Sequence, residues 1–386
     1  MIQKTKTFFV LAVLVIGTYL VCEIAVTLLY VGGVLERPTT MWLFEDSGRT
    51  VHFDAIRGYR LSTVPSRITR ITKGTTEYVG ALKGNNQGFP DRDDFYPKRG
   101  DGQEKRLAVF VDSYTAAQFL DKNWPDHAED LSKGGPGNVQ LLNFSVDGGG
   151  LGNWWSVLTR LIEQDGYEID GVIFAIIPGD LWRRFSVSDH QNQDHPMFAR
   201  MPSWDPKTFP ANLEEARPYL RPMTSNGHIV SKDEFDRALE GAWRPRANRP
   251  VRPYFAWKLW QALRVRVPAG QELATPPKAF DSFDPGQEWI IKDIARVLKA
   301  MNIPAMVVHV PSREDLFQDN RDAAPPLDTR LFAILLGARL VDGKEAYAGH
   351  SGDEIRAMWH RYDAHWGQAG SNQFGQYMAG VLADWP

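Results

Sequence analysis

Over much of its length the chain alternates short apolar runs with segments whose apolar residues recur at helical spacing. A strand that is apolar throughout is typical of a parallel sheet whose two faces are both covered by helices. The pattern therefore predicts an α/β fold that binds ligands beyond the carboxyl ends of its strands. The runs are residues 107–111, 139–144, 172–177, 305–310 and the shorter 339–341, and the helical segments are a stretch from residue 114 and residues 151–164, 287–301 and 372–382.

Two regions fall outside this alternation. Residues 37–100 are polar and rich in turn-forming residues, which predicts a small β-rich or irregular lead-in. The α/β domain then covers residues 101–386. Within it, residues 182–284 are rich in proline and show no repeat, which indicates a long insertion.

Part of the insertion is both basic and aromatic. It has no acidic residue among its cations, and aromatic residues interleave with them. Such a stretch suits a surface that meets anionic headgroups or an acidic polymer. It equally suits a solvated basic helix whose aromatic side chains pack inward, and the sequence leaves both readings open. The residues are Arg244, Arg246, Arg249, Arg252, Lys258, Arg264 and Arg266, with Tyr254, Phe255, Trp257 and Trp260.

The most apolar segment is residues 7–35, which only Glu23 interrupts. Because about 20 apolar residues suffice to cross a bilayer, we predict one transmembrane helix there, with the lipid bilayer as its partner. Residues 1–36 then form a cytoplasmic tip and an anchor. Lys4 and Lys6 favour a cytoplasmic N-terminus, which leaves the main domain extracytoplasmic, or periplasmic in a bacterium.

A cleaved signal peptide and a lipoprotein signal are the alternatives to an anchor. No small-x-small cleavage pattern follows a short apolar stretch. Tyr19 and Val21 stand where a lipoprotein signal before Cys22 would have leucine and a small residue. An uncleaved anchor is therefore favoured. Since a carboxylate is costly inside the span, we expect Glu23 at the outer interface or against a partner helix.

Composition excludes several classes of protein. The 386 residues are 43% hydrophobic and 24% charged with a net charge of −3, which excludes a disordered chain and a strongly basic nucleic-acid binder. Cys22 is the only cysteine, which excludes zinc-ribbon, iron–sulfur and thioredoxin-type chemistry. No phosphate-binding or dinucleotide-binding motif occurs, so we expect no cofactor and no nucleic-acid partner. A metal site is not expected either; one loop cluster has suitable ligand types, namely Asp189, His190, Asp194 and His195.

Candidate reactive residues follow the ends of predicted strands. Ser113 comes directly after the first run, at a strand-to-helix turn that exposes its hydroxyl. Gly148 belongs to a glycine-rich turn after the second run, where backbone N–H groups can approach an anion. Asp363 stands two residues before His365, ahead of the last helix. Its carboxylate can hold the imidazole in one tautomer while the other ring nitrogen faces a nucleophile.

In these motifs the sequence resembles the SGNH or GDSL-type hydrolases, and in particular their membrane-anchored branch. The resemblance covers roughly residues 85–180 and 300–386, and residues 86–90 match the segment upstream of the nucleophile block. It implies a three-layer α/β/α sandwich with a flavodoxin-like, five-stranded parallel sheet. The chemistry it implies is acyl transfer, either ester hydrolysis or transfer of an acetyl group to or from a polysaccharide.

The same resemblance assigns roles to single residues. Asp112-Ser113 matches the nucleophile motif, which implies Ser113 as the attacking group and as one backbone donor of the oxyanion hole. Gly148 matches the glycine whose N–H is another donor. Asp363 and His365 match the final block, which implies His365 as general base and Asp363 as its orienting partner.

Two positions depart from the family pattern. Val111 stands where the nucleophile motif has glycine. Gly179, after Ile177-Pro178, stands where the family has the asparagine whose side chain donates to the oxyanion. Removing one such donor costs on the order of 10²–10³ in rate. Asn153 is a candidate for a substitute donor.

Two functions are consistent with these features. The first is a membrane-anchored, extracytoplasmic serine acyl-ester hydrolase or O-acyltransferase that acts on a cell-envelope glycan or an acyl ester. The second is a degenerate SGNH-like domain that serves as a structural subunit of a membrane protein complex. The strand-end residues favour the first, whereas Gly179 and the long insertion favour the second.

Overall fold

The computed structural model describes fifteen stretches of the chain. These are residues 2–31, 40–45, 50–72, 75–100, 105–116, 119–133, 138–177, 179–190, 196–222, 228–229, 232–239, 253–256, 258, 283–317 and 322–385.

Strands occur throughout the described part of the chain. They are β1 (Thr40–Glu45), β2 (Val51–Asp54), β3 (Gly58–Leu61), β4 (Ser66–Thr72), β5 (Thr75–Leu82), β6 (Lys105–Phe110), β7 (Val139–Asn143), β8 (Gly171–Ile176), β9 (Ser186–Asp189), β10 (Met197–Arg200), β11 (Arg221–Pro222), β12 (His228–Ile229), β13 (Ala305–His309) and β14 (Arg339–Asp342).

Helices precede, connect and follow these strands. They are α1 (Ile2–Val31), α2 (Ser113–Ala116), α3 (Trp124–Ser132), α4 (Leu151–Val157, continued by a π-helical turn over Leu158–Glu163), α5 (Leu213–Ala216), α6 (Lys232–Leu239), α7 (Pro285–Met301), α8 (Arg313–Phe317), α9 (Leu327–Leu336), α10 (Gly352–Met358) and α11 (Gln368–Ala383), with 3₁₀ turns at Asp180–Trp182, Pro206–Thr208 and Gly343–Tyr347.

The central sheet has five parallel strands in the order β7-β6-β8-β13-β14. Numbered by their own order in the chain, the strands run 2-1-3-4-5, which is the flavodoxin-like arrangement. The predicted α/β fold with this sheet is confirmed. The run at residues 339–341 is the edge strand β14.

Helices cover both faces of this sheet. On one face Phe110 and Phe174 stack with ring centroids 5.3 Å apart and pack against α4, α7 and α9. On the other, Val109 and Ile173 pack with the buried side chains of α3 and α11. Successive residues of each strand point to opposite faces, so nearly every position of β6, β7, β8 and β13 meets a core, while the edge strand β14 is largely exposed. This explains why the strands read as continuous apolar runs and why the sandwich has three layers.

Local sequence fixes where helix α7 begins and ends and which face it buries. Asp284 accepts hydrogen bonds from the N–H groups of the first turn, and Gln287 completes a capping box. Pro285 occupies the first turn, where a missing N–H costs nothing. Asn302 ends the helix in the left-handed region with a φ of 54°. Ile290, Ile294 and Val297 recur on one face and are fully buried.

The lead-in is β-rich. Strands β1, β4 and β5 form an antiparallel sheet, and β2 pairs with β3. Strand β12, from the insertion, adds parallel to β1, so the lead-in and the insertion share one sheet. The insertion also forms the small antiparallel sheet β11-β10-β9.

Helix α1 is long and apolar enough to cross a membrane over Phe9–Leu29, with a mean hydropathy of 2.5. The Glu23 carboxylate accepts hydrogen bonds from the backbone N–H groups of Phe255 (2.7 Å) and Ala256 (3.1 Å). Besides Tyr19 and Thr27 of its own helix, the partners of this acidic residue thus belong to the same chain, in the middle of the basic and aromatic stretch. Most of that stretch lies outside the described residues.

Candidate active site

Ser113 lies where strand β6 passes into helix α2. Asp112, which precedes it and is buried, accepts the N–H of Tyr114 at 3.0 Å and so holds the turn. The Ser113 hydroxyl lies 2.7 Å from Nε2 of His365, a residue 252 positions further along the chain. The departure at Val111 is accommodated in the core, where this side chain is fully buried.

Hydrogen bonds to Asp363 and a ring contact with Tyr114 orient the side chain of His365. Its Nδ1 lies 2.5 Å from Oδ1 of Asp363, which also accepts the His365 backbone N–H at 3.1 Å. Tyr114 donates its hydroxyl to the carbonyl of Ala364 at 2.5 Å, and its ring packs on the imidazole. The structure therefore brings Ser113, His365 and Asp363 together in the nucleophile–base–orienter order of a serine triad.

Burial lowers the pKa of His365, and the positive charges of Arg70 and Arg183 lower it further. The carboxylates of Asp112 and Asp147 act in the opposite sense, but the net direction is downward. The imidazole is therefore neutral near pH 7, which is the form that can accept the proton of Ser113.

A second layer of charges around Asp363 was not predicted from the sequence. Arg70, on strand β4, forms an ion pair with the oxygen of Asp363 that does not face the histidine. Glu77, on strand β5, lies 3.3 Å from Arg70 and accepts the backbone N–H groups of Tyr362 (2.5 Å) and Asp363 (2.7 Å). Nothing in the local sequence of the lead-in points to these contacts, because the partners are 285 or more residues apart.

Arg183 was also missed, and it joins three strand ends. Its guanidinium lies 2.7 Å from Asp112 and 2.6 Å from Asp180, and it donates to the carbonyl of Gly149 at 3.1 Å. Burial alone would lower its pKa, but the carboxylates of Asp180 and Asp112 raise it. Arg183 therefore remains a cation directly behind the nucleophile turn.

Two glycines, Gly148 and Gly179, stand at the positions that the family resemblance assigns to the oxyanion hole. Gly148 has a φ of +68°, which favours glycine, and a Cβ there would lie 3.3 Å from the ring of Phe198. Gly179 has a φ of +95°, and an added Cβ would meet no atom of the described residues within 4 Å. The space beside the turn after β8 is thus open where the family pattern has an asparagine.

Asn153 does not fill that space, which corrects the suggestion that it substitutes for the missing donor. It is fully buried on α4, and its Nδ2 donates to the carbonyls of Arg57 (3.0 Å) and Ser186 (2.9 Å). Its Oδ1 accepts the N–H of Ser186 at 3.0 Å. Because both amide hydrogens are bound within the protein, Asn153 joins α4 to the lead-in and the insertion instead.

Residues 86–90 support the site from a distance. Phe89 is buried against Phe95 and Phe144 in the core. The carbonyl of Pro90 accepts a hydrogen bond from Nδ2 of Asn143, the last residue of β7, at 3.0 Å. This segment therefore fixes the strand end that leads to Gly148.

A pocket opens over Ser113 and His365. Its space, counted together with the open mouth, is about 980 Å³. The lead-in sheet supplies much of the wall, and most of the lining is aromatic or aliphatic. The apolar lining residues are Trp42, Phe44, Val51, Tyr59, Leu61, Ile68, Tyr78, Leu82, Phe119, Pro196 and Phe198, and the polar ones are Arg70, Ser113, Asp147, Ser188, Asp363 and His365.

The loop cluster considered for a metal lies only partly within the structure. His190 is buried and its Nδ1 accepts the N–H of Val51 at 3.0 Å, while Asp189 accepts the N–H of Phe53 at 2.9 Å. Asp194 and His195 lie outside the described residues. Across the part of the chain that is described, no three His, Cys, Asp or Glu side chains group as metal ligands would.

The fold and the site together define an α/β domain that carries a Ser-His-Asp arrangement at the carboxyl ends of its parallel strands. No protein-family profile matches the sequence, and no curated protein matches it. Among solved structures, the chain is similar to one assigned to the G-D-S-L family of lipolytic proteins, from Desulfitobacterium hafniense. The two are 10% identical, with a TM-score of 0.32, over 72% of this chain and 99% of the other.

Proposed function

We propose that the protein is a serine acyl-ester hydrolase or O-acyltransferase. The observation that carries the proposal is the chain of contacts from Ser113 Oγ to His365 (2.7 Å) and from His365 to Asp363 (2.5 Å). His365 Nε2 takes the hydroxyl proton as Oγ bonds to the ester carbonyl carbon. When the tetrahedral intermediate collapses, the ester C–O bond breaks and His365 gives the proton to the leaving alkoxide. Water or an acceptor hydroxyl then repeats the sequence on the acyl-serine.

The oxyanion in this mechanism is held by backbone N–H groups of Ser113 and Gly148. No side-chain amide completes the hole within the described residues, because Gly179 has no side chain and Asn153 is engaged elsewhere. We therefore expect turnover to be slow, since each oxyanion donor contributes on the order of 10²–10³ in rate.

The pocket supports an ester with an apolar acyl group. Each methylene group of the substrate that the aromatic and aliphatic walls remove from water stabilises the complex by about 0.8 kcal/mol. At about 1.36 kcal/mol per factor of ten, each added CH₂ raises kcat/KM roughly fourfold until the pocket is full. Among p-nitrophenyl esters, hexanoate or octanoate should thus be a better substrate than acetate. A rate that is flat or falls with chain length would exclude this acyl class.

We further propose that α1 anchors the protein in a membrane with the α/β domain on the extracytoplasmic side. The apolar span Phe9–Leu29 and the preceding Lys4 and Lys6 support this orientation. The substrates within reach there are acyl esters of envelope lipids or glycans.

A fluorophosphonate probe tests the central proposal, because only an activated serine reacts with it. The natural protein should be labelled and Ser113→Ala should not. Ser203→Ala is the matched control, because Ser203 accepts a hydrogen bond from the N–H of Asp205 and does not belong to the described lining of the pocket. Labelling that survives Ser113→Ala would assign reactivity to another residue.

The second candidate function is a non-catalytic subunit of a membrane protein complex. The observation that favours it is the open space at Gly179, which leaves the oxyanion side without a side-chain donor among the described residues. Absence of labelling in the natural protein and in Gly179→Asn would support this second function over the first.

A further inference from the structure

We infer that Arg70 is a positioning residue for the triad, and that the lead-in sheet is therefore a working part of the catalytic site. The inference deepens the proposed function and rests on it. Asp363 lies in the irregular segment between α10 and α11, so no regular element fixes its carboxylate. Besides the backbone N–H and ring of His365, which contact Oδ1, Arg70 on β4 contacts the carboxylate and Glu77 on β5 accepts the Asp363 backbone N–H, both from outside the α/β domain.

Each carboxylate oxygen of Asp363 has its own partner. Oδ1 faces His365, whereas Oδ2 faces the guanidinium of Arg70. The side chain of Asp363 is only 5% exposed in the presence of Arg70, so water solvates this carboxylate poorly. A buried carboxylate needs a partner charge to stay ionised. Arg70 supplies that charge from the side opposite the imidazole, which leaves Oδ1 pointing at His365.

Arg70 is itself held rigidly. Its guanidinium lies 4.9 Å from the ring centre of Trp42 and 5.9 Å from that of Tyr78. Its Nε lies 3.3 Å from Glu77, which also accepts the hydroxyl of Thr72 at 2.8 Å. An arginine stacked on two rings and paired on two sides has few other orientations open to it.

Glu77 completes the connection through the backbone. Its Oε1 accepts the N–H groups of Tyr362 and Asp363, so one carboxylate fixes the peptide that carries the catalytic aspartate while the other oxygen holds Arg70. The three charges of Arg70, Glu77 and Asp363 leave one net negative charge in the resting state. That negative charge is neutralised when His365 takes the proton of Ser113 and becomes positive. The charge of the cluster therefore stabilises the imidazolium formed during the reaction.

The test uses the full-length protein and five variants, one of which, Arg70→Ala, leaves space for added guanidinium ion. Arg70→Met removes the charge and keeps the stem, Arg70→Lys keeps a charge, and Glu77→Gln removes the partner carboxylate. Arg67→Met is the matched control, because Arg67 lies on the same strand with a side chain that is 60% exposed and pairs with Glu45. Ester hydrolysis is measured across pH, and thermal unfolding identifies any variant that fails to fold.

We expect Arg70→Met to lower kcat by about 10²-fold, the effect of a misplaced catalytic group, while Arg67→Met retains the natural rate. Arg70→Lys should recover part of the loss, and guanidinium ion added to Arg70→Ala should recover part of it as well. Full activity in folded Arg70→Met would overturn the inference. So would a loss that neither lysine nor guanidinium recovers.

The pH dependence gives a second readout. The groups facing His365 are Asp363, the carboxylates of Asp112 and Asp147, the cations Arg70 and Arg183, and the neighbouring His360. Removing the Arg70 cation favours the imidazolium, so the pKa of His365 should rise and the acidic limb of kcat/KM should move to higher pH. An unchanged limb would contradict the inference.

Nuclear magnetic resonance separates this inference from the proposed function. If the natural protein hydrolyses no ester and takes no probe, the proposed function fails. The ring nitrogens of His365 can still be titrated in the natural protein, Arg70→Met and Arg67→Met. A higher pKa in Arg70→Met alone supports the positioning role, and three identical titrations overturn it.

Discussion

The open space beside Gly179 allows an oxyanion donor to be added rather than removed. Gly179 follows β8 and precedes Asp180, whose ion pair with Arg183 reaches Asp112 beside the nucleophile. An added Cβ meets no described atom within 4 Å, so the side chain of Gly179→Asn starts in open space. If this turn borders the oxyanion, the new N–H should raise kcat.

The expected size follows from two opposing effects. A well-placed oxyanion donor contributes about 2.7–4 kcal/mol to the transition state. The φ of +95° strains any residue other than glycine, by about 1–3 kcal/mol, although asparagine is among those that tolerate positive φ best. That strain is present with and without substrate, so it lowers stability and not kcat. With imperfect alignment we expect kcat to rise by about tenfold or more, which corresponds to ~1.4 kcal/mol.

Gly179→Ala is the matched control for this experiment, because it brings the same backbone strain without a donor. Hydrolysis of a p-nitrophenyl ester should show a higher kcat for Gly179→Asn than for Gly179→Ala, with little change in KM, since the new bond strengthens only as charge develops. Both variants should unfold at a lower temperature than the natural protein. Equal kcat values for the two variants would refute the placement of Gly179 at the oxyanion.

Two further predictions concern the charges around the triad. Burial and nearby cations lower the pKa of His365. The value of kcat/KM should therefore rise with pH through an apparent pKa below the ordinary histidine value of about 6.5 and then stay level. An apparent pKa above about 6.5 would contradict the assignment of His365 as general base. Arg183→Met leaves Asp112 and Asp180 buried without their cation and should cost about 3–5 kcal/mol in urea unfolding. Arg184→Met, at an exposed arginine 5.8 Å from the ring of Trp204, should cost only about 0.5–1 kcal/mol, and equal losses would argue against the buried network.

Most of the α/β fold could be predicted from local patterns of apolar residues. Four of the five strands of the central sheet are buried on both faces, so their apolar runs are visible without knowledge of their partners, whereas the edge strand β14 is exposed at Leu340. The lead-in and the insertion were harder, because β5 is half-exposed and strands β9 to β12 have only two to four residues each. That β12 of the insertion pairs with β1 of the lead-in depends on a contact between residues such as Met41 and His228, which share no local signal.

The sequence by itself determined the parts of the site that depend on neighbours in the chain. Ser113 at a strand-to-helix turn and Asp363 two residues before His365 are local arrangements, and the structure places these three side chains in one chain of contacts. Asn153 shows the limit of such reasoning. It lies close to Gly148 in sequence, but the packing of α4 turns its amide toward Arg57 and Ser186.

Only the tertiary structure decided what surrounds the triad. Arg70 and Glu77 reach Asp363 from a different sheet, and Glu23 meets Phe255 across 232 positions. Contacts of this kind leave no periodic trace in the sequence, because charged residues satisfy the same local preferences whether they face solvent or a buried partner. Their roles follow from burial, and burial is set by how the sheets and helices pack together.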